Sequence, residues 1–237
     1  MRFVAALLLC CRLVHAEDLL IAAASDLAPL APKLERAYSE KIRFTLASSG
    51  SLKQQIENGA PFDVFLSANE KYVQDLAAAG LVSDATIYAI GRIGLWSPNG
   101  SVNLLTDLTK KTVTHLAIPN PQHAPYGVAA RQALESRGLW REVEPKIVYG
   151  ENVRQALQFA ESGNVEAVIT SWTLLIGKGI LLPEEWHSPI RQTGAVVKSS
   201  GQAEAARRFL KFLKSPEAQQ VLNNGGLWSF KASSGHI

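Results

Sequence analysis

Short apolar strands alternate with helix patterns along most of this chain, and this alternation most constrains its fold. From residue 18 to residue 79 the order is strand, helix, strand, helix, strand, helix. The strands have the sequences DLLIAAA, IRFTLA and DVFLS, at residues 18–24, 42–47 and 63–67. Buried strands that alternate with helices are typical of a parallel sheet covered by helices. The sequence therefore predicts an α/β fold.

The pattern changes at residues 87–96, where IYAIGRIGLW is rich in β-forming residues and is not followed by a helix. Alternation resumes after residue 100, and it ends with a strand at 190–197 and two helices. A chain of 237 residues is long enough for two lobes of roughly 100 residues each. We therefore expect one lobe from residues 17–90 plus 197–237 and a second from 91–196. Both are expected to have mostly parallel sheets, with a ligand cleft between the lobes.

Residues 1–16 are predicted to be a secretory signal peptide rather than part of the fold. A positively charged start precedes an apolar run over 3–11, and small residues fit a cleavage site after Ala16. Lipidation at Cys10 or Cys11 and an uncleaved first helix are the alternatives. These are the only two cysteines of the chain, so cleavage leaves no thiol and no disulfide framework. The mature protein is expected in the periplasm.

The segments that follow the predicted strands are small, neutral and rich in hydrogen-bond donors. They are Ser25-Asp26, SSGS at 48–51, NPQHAPYG at 120–127 and GENV at 150–153. Each segment opens a predicted helix, where unpaired N–H groups and the helix dipole favour an anion. Ser and Asn at such positions most often only cap their helices. Four of them at one cleft favour an oxyanion site, to which the hydroxyls of Ser25 and Ser49 add donors.

Longer motifs carry a resemblance to a known family. The motifs are AAAS at 22–25, SSGSL at 48–52, IENGAPFDVFLSAN at 56–69, NPQHAPYG at 120–127, ENVRQAL at 151–157 and FLKSPEAQ at 212–219. In these motifs and in their order the chain resembles the periplasmic molybdate-binding proteins of ABC importers. The resemblance implies the two-lobed fold of type II periplasmic binding proteins.

The resemblance also implies a set of ligand contacts. Ser25 and Ser49 would each offer a hydroxyl and a backbone N–H to the oxyanion, and Tyr126 and Val153 would each offer a backbone N–H. Thr170 stands where some family members place a tyrosine hydroxyl, and a threonine hydroxyl reaches less far. The implied ligand is molybdate or tungstate, without a cofactor, and the implied partner is an ABC permease in the membrane.

The chemistry of the donors agrees with such a ligand. Molybdate and tungstate are tetrahedral dianions that are fully deprotonated at neutral pH, so a site of donors alone suits them. Phosphate keeps a proton, which a donor-only site leaves unpaired at a cost of roughly 1–3 kcal/mol. Sulfate carries the same charge as molybdate and must be rejected by cavity size. Asp26 would accept a phosphate proton if it pointed inward, but we expect it to cap its helix or to face solvent.

Other function classes find less support in the sequence. A serine hydrolase using Ser49 and His123 lacks the G-x-S-x-G motif, and it remains the weaker rival. A binding protein of the same fold for sulfate or another small oxyanion is the nearer rival. The histidines show no short ligand pair, so we predict no direct cation site. A net charge of +3 without a basic stripe argues against nucleic acid. We therefore predict a monomeric binding protein that is not an enzyme.

Overall fold

The computed structural model describes residues 18–230. The predicted signal peptide and both cysteines lie outside the described residues. Over residues 18–230, no helix combines the length and the apolar character needed to cross a bilayer.

The first sheet has five strands in the order β2-β1-β3-β10-β4. The strands are β1 (Leu19–Ala24), β2 (Ile42–Ala47), β3 (Val64–Ser67), β4 (Val82–Gly91) and β10 (Ile190–Val197). β1 pairs in parallel with β2 and β3, whereas β10 runs antiparallel to both β3 and β4. The expectation of parallel strands thus holds for three strands, and two antiparallel strands complete the sheet.

The second sheet repeats this plan in the order β7-β6-β8-β5-β9. Its strands are β5 (Ile93–Trp96), β6 (Leu116–Pro119), β7 (Ile147–Gly150), β8 (Ala167–Ser171) and β9 (Ile180–Leu181). β6 pairs in parallel with β7 and β8, and β5 runs antiparallel to β8 and β9. Each lobe is therefore built on one mixed sheet.

Eight α-helices surround the two sheets over the described residues. They are α1 (Ala31–Ala37), α2 (Ser49–Glu57), α3 (Glu70–Ala78), α4 (Pro125–Ser136), α5 (Trp140–Val143), α6 (Val153–Glu161), α7 (Ala203–Leu213) and α8 (Pro216–Asn224). α7 shows why they pack as they do, because its buried residues Ala206, Phe209, Leu210 and Leu213 recur at helical spacing on one face. The helical stretch between β1 and β2 is short: a 3-10 turn at Ser25–Leu27 precedes α1, which begins just before Pro32.

The chain crosses between the lobes at two places. The first crossing is at Arg92, between β4 and β5, inside the segment 87–96 where the sequence predicts it. The second crossing lies between β9 and β10, at residues 182–189. The boundary expected at 196/197 assigns residues 190–196 to the second lobe, whereas β10 pairs with β3 and β4 of the first sheet. A strand pattern does not identify the strands with which it pairs, so the sequence of β10 did not indicate its partners.

Candidate functional site

A small cavity lies between the lobes, where the parallel strands of both sheets end. Its volume is ≈ 10 Å³, about the room that a single water needs. Four of the five predicted site residues line it: Ser25 and Ser49 from the first lobe, and Tyr126 and Val153 from the second. The structure therefore brings together residues that are up to 128 positions apart in the sequence.

The wall from the first lobe presents two serine side chains. Ser25 follows β1, and Ser49 is the first residue of α2; both are buried. The hydroxyl of Ser48 caps α2 by accepting from the N–H of Ser51 at 3.3 Å, so Ser49 is not needed as a cap. The Ser49 Oγ instead accepts from the N–H of Ala68 at 3.0 Å. A hydroxyl that accepts this bond keeps its own proton available for a ligand.

The wall from the second lobe presents backbone N–H groups. α4 begins at Pro125, which has no N–H, so Tyr126 supplies the first N–H of that helix. α6 begins at Val153, and the Asn152 side chain caps it by accepting from the next two N–H groups, at 2.9 and 3.2 Å. Among the hydrogen bonds of residues 18–230, none uses the N–H of Tyr126 or Val153. Both N–H groups are therefore free for an anion.

Thr170, the fifth predicted residue, is not part of the cavity wall. It is fully buried on β8, and its hydroxyl donates to the carbonyl oxygen of Val153 at 3.0 Å. Its contact is therefore with Val153 in the first turn of α6, which lines the cavity.

The cavity wall contains no Lys or Arg side chain among the residues that line it. Its donors are neutral hydroxyls and N–H groups, two of which belong to the positive ends of the helix dipoles of α4 and α6. Such dipoles stabilise a bound anion in a cleft from which water is largely excluded.

Asp26 is the group that the sequence reasoning placed wrongly. It is fully buried between the lobes, rather than capping a helix or facing solvent. Its Oδ2 accepts from the Tyr126 hydroxyl at 2.7 Å and from Gln192 Nε2 at 2.8 Å. Its Oδ1 has no partner among the described residues. These partners lie 100 and 166 positions away, so no local signal identified them.

Burial dominates the ionisation of this group. It raises the pKa of Asp26 to about 7, although the hydrogen bonds from Tyr126 and Gln192 act in the opposite direction. Burial, and next the charge of Asp26, raise the pKa of the Tyr126 hydroxyl. Tyr126 therefore stays protonated and donates its hydroxyl proton to the carboxyl group.

The lobes also touch at the rim of the cavity. The N–H of Gly50, on α2, donates to the carbonyl oxygen of His123 in the second lobe at 2.9 Å. A Cβ atom at Gly50 would lie 2.7 Å from the Cβ of His123 and 2.8 Å from its carbonyl oxygen. This approach of the two backbones requires a glycine.

The sequence also matches a known protein family. A family model described as bacterial extracellular solute-binding protein matches residues 19–227. The chain belongs to this family.

Several relatives have names that state a ligand, which the description of the family model does not. The molybdate-binding protein ModA of Rhodobacter capsulatus is 32% identical over 89% of this chain and 88% of its own length. ModA of Azotobacter vinelandii is 34% identical over 92% of this chain and 92% of its own length. The solved structure of the Azotobacter vinelandii periplasmic molybdate-binding protein matches with a TM-score of 0.85 at 28% identity, over 90% of this chain and 100% of that one. The resemblance and the two-lobed fold predicted from the motifs are confirmed.

Ser49 and His123 do not form the hydrogen-bonded pair that a serine hydrolase needs. The ring of His123 contacts Glu151, with Nε2 at 3.0 Å from its carbonyl oxygen and 3.2 Å from its carboxylate, and it bonds to no serine. The described residues also contain no group of three or more His, Cys, Asp or Glu side chains that would hold a metal ion.

Proposed function

We propose that this solute-binding protein captures molybdate or tungstate in the cavity between its lobes and delivers it to an ABC permease. The oxyanion is held by Ser25 and Ser49 on one side and by the N–H groups of Tyr126 and Val153 on the other. Similarity to molybdate-binding proteins over about nine-tenths of the chain supports this ligand.

The observation that carries the proposal is the composition of the cavity wall. The wall offers free N–H groups and hydroxyls to a ligand and no cationic side chain. A tetrahedral dianion without protons uses every such donor, so its charge is stabilised by directed hydrogen bonds. Hydrogen bonds to a charged group contribute about 1.5–3 kcal/mol each, which makes four of them sufficient for tight binding.

The same wall discriminates between anions. Phosphate near neutral pH carries a proton, and a donor-only wall leaves that proton without an acceptor. Asp26 also lines the cavity, and its Oδ2 already accepts two hydrogen bonds from the protein. Rejection of phosphate therefore requires that its unpartnered Oδ1 offers no acceptor to the ion. Sulfate carries the same charge as molybdate but is smaller, so the size of the cavity has to reject it.

Transport follows from closure of the lobes about the crossings at Arg92 and residues 182–189. Contacts between Gly50 and His123 and between Asp26 and Tyr126 form only when the lobes meet, so the closed form differs in surface from the open one. We propose that the protein acts as a periplasmic monomer, exported by its signal peptide, and that a permease recognises this closed form. No catalytic step belongs to this cycle.

A thermal melt with molybdate, tungstate, sulfate, phosphate or no ligand tests the proposal. A ligand at about a thousand times its Kd adds roughly 4 kcal/mol, which raises the Tm of a chain of this size by on the order of 10 °C. We expect this shift with molybdate and tungstate only. A shift with sulfate alone would assign the site to the rival oxyanion, and no shift with any ion would refute the oxyanion site.

A further inference from the structure

Asp26 belongs to a hydrogen-bonded cluster that joins the lobes directly behind the cavity. Beyond the two bonds to its Oδ2, its backbone carbonyl accepts from the Thr173 hydroxyl at 2.7 Å. Gln192 Nε2 also lies 2.9 Å from the Tyr126 hydroxyl, and its Oε1 accepts from Tyr88 at 3.2 Å. Tyr126 and Thr173 come from the second lobe, whereas Asp26, Tyr88 and Gln192 come from the first.

Tyr126 connects this cluster to the ligand site. Its N–H lies in the cavity wall, and its phenol crosses the interface to Asp26. The phenol also occupies a slot beside Gly91 that a Cβ atom would fill. The carboxyl group of Asp26 therefore holds the first turn of α4 in the position from which its N–H meets an anion.

The surroundings of Asp26 hold little charge to balance an ionised carboxylate. The titratable groups that face it are Tyr126 and Tyr88, while β10 and the 3-10 turn Trp172–Leu174 contribute the neutral Gln192 and Thr173. The charged residues on the elements packed around it are Arg43 of β2, Asp84 of β4, Arg131 and Glu135 of α4, Arg154 and Glu161 of α6, and Arg191 of β10. All of these except Arg154 are in ion pairs, at 2.7–3.2 Å. Arg154 lines a separate groove that reaches Ser25.

An occupied cavity adds two negative charges next to this carboxyl group. Asp26 lines the same cavity and follows Ser25 directly in the chain. Charges of the same sign repel strongly in a site that holds little water. A proton on Oδ1, the oxygen without a partner, removes this repulsion and leaves both bonds to Oδ2 intact.

We propose that Asp26 is a positioning residue of the oxyanion site and that it takes up a proton from solvent whenever the dianion is captured. This inference rests on the proposed function. One dianion and one proton enter the closed protein together, so the captured charge is −1 rather than −2. Release reverses both steps.

The expected sign of the pH dependence follows from this coupling. Burial in the closed protein raises the pKa of Asp26 to about 7, and a neighbouring dianion raises it further. Below the pKa of the free protein the group is protonated before binding, so the affinity is constant. Between that pKa and the higher pKa of the complex a proton must be taken up, and the affinity falls about tenfold for each pH unit.

Titration calorimetry with molybdate from pH 6 to pH 9 tests this dependence, because molybdate itself stays a dianion in that range. The wild type is expected to bind at least about tenfold more weakly at pH 9 than at pH 6. Repeating the titration near pH 8 in two buffers with different ionisation enthalpies should give uptake of about one proton per anion. Asp26→Asn keeps an acceptor for Tyr126 and Gln192 but cannot titrate, so its Kd should be flat with pH and its proton uptake near zero.

Asp63→Asn is the matched control. Asp63 is a second buried carboxyl of the first lobe, and it accepts from the N–H of Leu20, the hydroxyl of Ser200 and Gln202 Nε2, away from the cavity. This variant should keep the pH profile of the wild type. A purely structural role of Asp26 would weaken binding equally at every pH and leave the slope unchanged.

The outcomes separate this inference from the proposed function. The wild type could bind molybdate with a Kd that does not change with pH and without proton uptake, and this result would overturn the inference alone. The same holds if the Kd of Asp26→Asn depends on pH as steeply as that of the wild type. If Asp26→Asn does not fold, the measured proton uptake of the wild type still tests the inference. Absence of molybdate binding at every pH would overturn the proposed function and the inference with it.

Discussion

The two walls of the cavity are built from different parts of the chain. The first lobe contributes the side-chain hydroxyls of Ser25 and Ser49, and the second contributes the backbone N–H groups of Tyr126 and Val153. Side-chain donors depend on residue identity, so a single substitution removes them. Backbone donors depend on where a helix begins, so substitutions remove them only by moving the helix. In the proposed complex, the first wall therefore determines which donors are present, and the second determines where the anion lies.

One local arrangement, found on both walls, leaves a donor residue free of helix capping. A neighbouring residue caps the helix in each case: Ser48 caps α2 and Asn152 caps α6. The residue after each cap, Ser49 or Val153, then faces the cavity with its hydrogen-bonding groups unused by the helix. Capping and ligand binding are thus divided between adjacent residues.

We expect the largest loss of affinity for molybdate from a substitution that prevents the two walls from meeting. Gly50→Ala adds a methyl group that would lie 2.7–2.9 Å from the Cβ, carbonyl oxygen and Cα of His123. Because two of these atoms belong to the backbone, the lobes cannot reach the closed contact without a shift. We expect the Kd for molybdate to rise by about two orders of magnitude, since only closed molecules bind with all donors. Calorimetry measures this change.

Gly201→Ala is the control, because a Cβ atom at Gly201 meets no atom within 4 Å. Its Kd should equal that of the wild type. An unchanged Kd in Gly50→Ala would mean that the anion is bound without the contact between Gly50 and His123.

The next effect comes from removing one donor of the first wall. Ser49→Ala deletes a hydroxyl proton that is free for the anion, and it leaves the N–H of Ala68 without its acceptor. A hydrogen bond to a charged group contributes about 1.5–3 kcal/mol, which corresponds to a Kd roughly 10- to 150-fold weaker. Ser25→Ala should fall in the same range.

A serine that only caps a helix provides the comparison. Ser215 caps α8 by accepting from the N–H of Ala218 at 3.2 Å, far from the cavity. Ser215→Ala should lower the free energy of unfolding by about 1 kcal/mol and leave the Kd unchanged. Equal Kd values for Ser49→Ala and the wild type would remove Ser49 from the site.

We expect the smallest change in affinity from a substitution behind the second wall. Thr170→Val removes the hydroxyl that donates to the carbonyl oxygen of Val153 but leaves the N–H of Val153 in place. We expect a stability loss of about 1 kcal/mol and a Kd within about threefold of the wild type. Thr193→Val, at another buried threonine on β10, controls for the stability loss. A loss of affinity as large as that of Ser49→Ala would show direct contact between Thr170 and the ligand.

Local sequence predicted the fold and most of the cavity wall because the relevant signals are local. The strand ends at Ala24, Ala47 and Ser67 coincide with the predicted ends, and the serines of the first wall come within two residues after Ala24 and Ala47. The family motifs added Tyr126 and Val153, whose contribution is a backbone N–H that residue type does not reveal.

The errors concern partners that are distant in the chain. The sequence could not assign β10 to the first sheet, since its pairing with β4 joins residues about 100 positions apart. It predicted that Asp26 caps its helix or faces solvent, because its three partners come from distant elements: α4, β10 and the turn after β8. A carboxylate two residues after a fully apolar strand was the available signal for burial.

A crystal structure of residues 17–237 grown with molybdate tests the central claim most directly. The account predicts an anomalous molybdenum peak in the cavity, with its oxygens at about 2.7–3.1 Å from the hydroxyls of Ser25 and Ser49 and from the N–H groups of Tyr126 and Val153. A molybdenum peak outside this cavity, or one coordinated by Lys or Arg side chains, would contradict it.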